Sequence, residues 1–151
     1  MTSKLRLFNT LSRRLELFEP LQDGQVRLYT CGPTIYDFAH IGNFRAYVWE
    51  DLLRRTLKLL GFRVTQVMNI TDIEDKIIER ALRENRPWQD ITTKCEAVWF
   101  DAMSGINVER PTDVPHATDY VDEMIDMIGT LIEGGHAYVT DDGVYMSVES
   151  V

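Results

Sequence analysis

No stretch of this chain approaches the roughly 20 consecutive apolar residues that a bilayer-spanning helix requires. The N-terminus, MTSKLRLFNTLSRRLELF, has neither the central apolar region nor the small-residue cleavage site of a signal peptide. The chain therefore reads as cytoplasmic, with no membrane partner. Cysteine is scarce: Cys31 and Cys95 are the whole supply, and no Cys-x-x-Cys pair exists. Two thiols in a chain without a secretory signal argue against a disulfide framework, so each needs its own explanation. Positive charge is in deficit, with 16 Lys and Arg against 24 Asp and Glu and a net charge of -8. That balance excludes a surface built throughout for neutralising phosphates, and a nucleic-acid partner would need a local basic patch. The short basic groups Arg13 with Arg14, Arg54 with Arg55, and Arg80 with Arg83 are expected on solvated faces. Internal repeats and low-complexity segments are absent.

What the chain has is size for one core, since 151 residues with 44% hydrophobic content bury roughly two thirds of the unfolded surface. QVRLYTC is a β-rich run, and GPTIYDFAHIGN, with its Gly-Pro and Gly-Asn pairs, reads as a long loop. From Phe44 the apolar residues Tyr47, Val48, Leu52, Leu59 and Leu60 recur at helical spacing, and Gly61 stands where a helix C-terminus wants a left-handed residue. FRVTQVMN alternates like a strand. NITDIEDKIIERAL then carries Ile73, Ile77, Ile78, Ala81 and Leu82 on one helical face, and Thr71 to Glu74 fits a capping box. Strand, helix, strand, helix is the pattern of a parallel α/β sheet. Ligands of such sheets bind beyond the carboxyl ends of the strands, so CGPTIYDFAHIGN and NITD are expected to converge on one crevice.

Farther on, Ile91, Cys95, Val98, Trp99 and Ala102 recur at helical spacing, which makes Cys95 a core residue. A polar connection with two prolines, SGINVERPTDVPHAT, follows, and a boundary is placed near Ala117. DYVDEMIDMIGTLIEGG is an amphipathic helix, and HAYVTDDGVYMSV a hairpin with Asp-Gly at its turn. A two-stranded ribbon alone is marginal, so the chain is expected to be part of a longer protein.

The chemistry gathers at His40-Ile41-Gly42-Asn43, which opens a helix after a strand and where backbone N–H groups and the helix dipole favour phosphate. Gly42 would allow a ring or a phosphate close to the backbone. Cys31 by its residues alone is either a small buried residue at a strand end or a ligand. Thr71 serves equally as a helix cap or a substrate contact. Asp72, Glu74 and Asp75 are read as acidic residues complementing a helix dipole.

Four ordered blocks, FNTLSRRLELFEPL, YTCGPTIYDFAHIGNFR, NITDIEDKIIERA and GHAYV, resemble segments of the cysteinyl-tRNA synthetase family, class I aminoacyl-tRNA synthetases, over nearly all of the chain. The resemblance implies a Rossmann-type catalytic domain that activates cysteine with ATP and esterifies it onto tRNA(Cys). Residues 1–117 would be the N-terminal half of that domain, and residues 118–151 the start of a connective insertion. His40 corresponds to the first histidine of the HIGH signature, and Asn43 stands in place of the second. His40, Gly42 and Asn43 are thereby implied in ATP binding, His40 also in catalysis, and Gly32 and Thr71 in the cysteine pocket. Cys31 matches the first zinc ligand, with a cysteine, a histidine and a glutamate to follow much later in the family. Those ligands and the lysine-rich KMSKS loop do not occur in these residues. One thiol cannot hold zinc tightly where four donors are wanted. The expected cofactors are therefore ATP with Mg2+, and zinc completed elsewhere; the partners are cysteine and tRNA(Cys), the expected state a monomer, and the isolated residues inactive. His116 stands where relatives tend to have arginine, and His136 is read as a loop residue without a chemical role. Two other readings are a cysteine ligase of mycothiol synthesis, related through the same half, and a non-catalytic module that binds nucleotide or a partner.

Overall fold

A computed structural model describes residues 5–150 of the chain; the expected limits at residues 1 and 151 lie outside them. The described residues form two compact units, one up to Pro115 and one from His116.

In the first unit a short antiparallel hairpin, β1 (Arg6–Asn9) with β2 (Arg14–Leu17), precedes strand β3 (Gln25–Thr30). Helix α1 (Ile41–Leu59) connects β3 to β4 (Arg63–Met68), and the two strands pair in parallel from Gln25↔Arg63 to Thr30↔Met68. Helices α2 (Asp75–Glu84) and α3 (Trp88–Gly105) follow. The result is a mixed α/β unit with a small parallel sheet, as the alternating runs imply. Parallel strands need such a crossover, because a tight turn cannot reverse the chain twice. Gly61, at φ +92, ends α1 in the left-handed region, as its place in the sequence requires.

The core lies where α3 packs against α1 and the strand ends. Ile91, Cys95, Trp99 and Met103, spaced one turn apart on α3, join Tyr47 of α1 with Ile35, Met68 and Ile70. The rings of Tyr47 and Trp99 meet edge to face at 5.6 Å, a favoured aromatic geometry. Cys95 is a core residue, and its thiol is pushed up in pKa chiefly by burial.

Three helical faces differ from the sequence pattern. On α1, Val48, Leu52 and Leu59 are exposed, as is Leu60 just beyond it, and the buried positions are Tyr47, Asp51, Arg54 and Leu57. The reason is the connection after α3. Asp51 accepts from Arg55 Nε at 2.7 Å and from the Glu109 backbone N–H at 3.2 Å, and Arg54 donates to the Arg110 carbonyl at 2.6 Å. Arg54 is therefore a buried structural residue and not part of a solvated doublet. On α2 only Ile77 is buried, with Ala81 packed at the core edge, while Ile78 and Leu82 are exposed, and Ile73, also exposed, precedes the helix. On α3 Val98 is exposed as well.

In the second unit a 3-10 turn (Ala117–Tyr120) leads into α4 (Val121–Glu133), then the antiparallel hairpin of β5 (Ala137–Val139) and β6 (Val144–Met146). Its turn is closed by Thr140, whose N–H donates to the Gly143 carbonyl and whose hydroxyl donates to Asp142 at 2.7 Å. His116 stands at the start of the 3-10 turn, its N–H donating to Asp119 Oδ2 at 3.4 Å.

Candidate active site

The two loops leaving the carboxyl ends of β3 and β4 are stitched together. The Thr71 N–H donates to the Pro33 carbonyl at 3.0 Å, and the Ile35 N–H donates to the Thr71 carbonyl at 3.1 Å, which makes Thr34↔Thr71 a parallel bridge. Pro33, Ile35 and Ile70 are buried beneath this seam. The seam also explains why Thr71 does not cap α2. Its backbone is committed to the loop opposite, and the N-cap of the helix is instead Glu74, three residues later, accepting from the Lys76 N–H at 2.9 Å. Asp75 complements the dipole from the first turn, while Asp72 is buried before the helix starts.

Helix α1 starts at Ile41, within the His40-Ile41-Gly42-Asn43 stretch expected to open it, because His40 caps it. The Gly42 N–H donates to His40 Nδ1 at 3.0 Å, and the His40 N–H donates to Asn43 Oδ1 at 3.1 Å, a reciprocal capping box. This arrangement decides the chemistry of both side chains. With Nδ1 accepting, a neutral His40 carries its proton on Nε2, and with Oδ1 accepting, Asn43 has its amide NH2 to offer. Each side chain is thus left with a donor, beside the positive end of a 19-residue helix. Gly42 is required here by close approach: a Cβ on it would lie 2.6 Å from His40 Cε1.

A cavity of about 230 Å³ opens between the 32–40 loop, α1 and α3, and Gly32, His40 and Asn43 line it together with Asp37, Tyr47 and Trp99. Of the remaining residues singled out in the sequence, Cys31 is exposed at the end of β3, Gly42 borders a separate apolar groove along α1, and Thr71 is half-buried in the seam. The cavity wall adds polar groups that no motif announces. The Tyr47 phenol is pushed up to about 12, first by burial and next by the nearby Glu50 carboxylate. The Trp99 indole N–H is buried without a hydrogen bond of good geometry, although it lies near enough to bear on that phenol.

Asn69 opens the NITD stretch expected at the crevice, although no motif assigns its side chain a role. Its Oδ1 accepts from Tyr29 OH at 3.0 Å and from the Gly32 N–H at 3.4 Å, and its Nδ2 approaches Thr71 Oγ1 at 3.4 Å. One side chain therefore touches both Gly32 and Thr71, the two residues that the family resemblance implies for the cysteine pocket. No group of three or more His, Cys, Asp or Glu side chains able to hold a metal exists among the described residues. Cys31 is an exposed thiol that lies 3.8 Å from the adjoining Gly32 carbonyl, and it offers at most one ligand. Among the described residues no helix is long and apolar enough to cross a membrane.

Comparison with known families matches residues 17–151 to the tRNA synthetases class I (C) catalytic domain. A cysteine–tRNA ligase of Chlamydia pneumoniae is 50% identical over 145 residues, covering 95% of this chain and 30% of that protein. A cysteine–tRNA ligase of Koribacter versatilis is 45% identical over 141 residues, 93% of this chain and 28% of that protein. One of Variovorax paradoxus is 47% identical over 139 residues, 92% and 30%. The chain spans about 30% of the length of the curated relatives it matches.

Proposed function

The chain belongs to the tRNA synthetases class I (C) catalytic-domain family, and from that premise we propose that it is the part of a cysteine–tRNA ligase that receives ATP and cysteine in cytoplasmic translation. The unit up to Pro115 would be the first half of a Rossmann-type catalytic domain, and the helix-plus-hairpin unit the start of a connective insertion. Three substrates are proposed: cysteine, ATP arriving with Mg2+, and tRNA(Cys), handled by a monomer.

The observation that carries this reading is the capping of α1 by His40. A carboxylate that attacks the α-phosphate of ATP forms a mixed anhydride and releases pyrophosphate, so the protein positions the reactants and stabilises growing negative charge. His40 Nε2–H, the Asn43 amide and the α1 N-terminus are donors of that kind, fixed before substrate arrives. Gly32 and Thr71, joined through Asn69, are proposed to line the amino-acid side of the same crevice.

Cys31 is proposed as one ligand of a zinc ion whose other ligands lie outside the described residues, which do not make a metal site by themselves. Zinc bound there would prefer a thiolate to a hydroxyl and so separate cysteine from serine.

The test is ATP–pyrophosphate exchange. A polypeptide of the relatives' length that carries this chain is expected to exchange in the presence of cysteine and not of serine, and His40→Ala should slow adenylate formation about 10² to 10³-fold. The 151 residues alone should not exchange above background, and should hold no stoichiometric zinc after dialysis. A long polypeptide without cysteine-dependent exchange would end this reading.

A further inference from the structure

Arg80 takes no part in the reaction proposed above, yet it reaches from α2 across to the wall of the candidate site. Its Nη1 donates to the Tyr36 carbonyl at 2.6 Å and stands 3.3 Å from Asp37 Oδ1, while its Nε donates to Glu84 Oε1 at 2.7 Å one turn along the helix. A guanidinium is a rigid planar fork, so fixing Nε on Glu84 aims Nη1 at the loop. The Asp37 oxygen is shared, accepting also from the Phe38 N–H at 2.8 Å. Two more cations stand on the same segment: Lys76 Nζ lies 5.3 Å from the Tyr36 ring centre, and Lys94 Nζ 5.9 Å from that of Phe38.

The loop is thus held at two points. On the inner side its residues 33–35 are sewn to Thr71, and on the outer side Tyr36 and Asp37 are gripped by Arg80. Only Phe38 and Ala39 separate this grip from His40, and two residues span too little chain to absorb a shift of the loop. We propose that Arg80 is a positioning residue for the nucleotide step: by fixing Tyr36 and Asp37 it sets where His40 begins α1 and hence where its Nε2–H is presented. This inference rests on the reading of His40 as a phosphate-side donor.

Two measurements test it. In a polypeptide of the relatives' length, Arg80→Met is expected to lower kcat/KM for ATP in pyrophosphate exchange about 10 to 10²-fold while the KM for cysteine moves less than about twofold, since misplacement by a fraction of an ångström is costly at the reacting phosphate only. Arg80→Lys, which keeps one donor for the Tyr36 carbonyl, should recover part of the loss. Glu84→Gln, which keeps the Oε1 acceptor, should leave exchange unchanged. In the 151-residue chain, Arg80→Met should speed amide hydrogen exchange from Asp37 to Gly42 and leave the α3 amides at Trp99 and Met103, beyond the Cys95 thiol that Arg80 also approaches, unaltered. Unchanged exchange at Asp37 to Gly42, or a loss spread equally over ATP, cysteine and the α3 amides, overturns the proposal. If the long polypeptide has no cysteine-dependent activity even with Arg80 intact, the reading of the reaction fails, and amide exchange alone decides whether Arg80 sets the loop.

Discussion

Gly32 and Asn69 approach so closely that a methyl group on Gly32 would stand 1.7 Å from the Asn69 carbonyl oxygen. The obstacle is backbone, so no rotamer change relieves it, and the two loop starts would have to part. Gly32→Ala is therefore expected to destabilise the unit by about 3 kcal/mol or more, at the upper end of overpacking costs. Urea unfolding measures it as a lower midpoint. A stability within about 0.5 kcal/mol of the original, the range of neutral surface changes, would mean that the ends of β3 and β4 are not held together as described.

His40 has two separable duties, and two substitutions separate them. His40→Ala removes the Nδ1 acceptor and should cost about 1 kcal/mol, the usual effect of losing an N-cap. His40→Asn supplies an equally good cap and should recover that stability. It carries no imidazole Nε2–H, so in the long polypeptide adenylate formation should stay as slow as with alanine. Full activity in the asparagine variant would reduce His40 to a cap. Gly42→Ala should resemble the alanine variant, because its Cβ would displace the imidazole, 2.6 Å away at Cε1.

The parts of this fold legible in the sequence are those that depend on neighbours in the chain. Strands 25–30 and 63–68, the left-handed Gly61 and the His40 helix start all follow from local propensities and spacing. The buried face of α1 does not. Asp51 and Arg54 look like surface residues until Glu109 and Arg110, more than 50 residues away, supply their partners. Thr71 matches a capping box and fails to cap for the same kind of reason, its backbone being taken by Pro33 and Ile35. The β1–β2 hairpin, only four residues a strand and mostly exposed, carries too little pattern to be read. At the candidate site the motif residues Gly32, His40, Gly42 and Asn43 were visible, whereas Asn69 and Arg80 act through contacts 37 to 44 residues apart.

The Asp51 network yields its own expectation. Replacing Asp51 by alanine strips the acceptor from the Glu109 N–H and from Arg55 Nε beside the buried Arg54. Donors left without acceptors cost about 1–3 kcal/mol, so a loss of roughly 2 kcal/mol is expected. Asp51→Asn, which keeps one oxygen, should lose less. Thermal unfolding of the two variants side by side checks the order, and an alanine variant as stable as the original would show that the connection after α3 does not depend on this carboxylate.

Glu50 makes stability depend on pH. Its Oε2 is buried with no partner among the described residues, and burial raises its carboxyl above the ordinary value, with the Thr30 side chain pulling the other way. The folded chain then binds this proton more tightly than the unfolded chain does. The contribution is fully present below the unfolded pKa and is lost as pH rises through the raised folded one. Glu50→Gln imitates the protonated form at every pH. Its advantage over the original should be near zero at about pH 3, below the ordinary carboxylate range. It should grow as pH rises and level off by about pH 7, at no more than about 1 kcal/mol because the group is only half-buried and partly screened. Urea unfolding of both chains across that range gives the difference curve. A glutamine variant less stable than the original at neutral pH would mean that the carboxylate is held by a donor, and the sign of the whole effect would reverse.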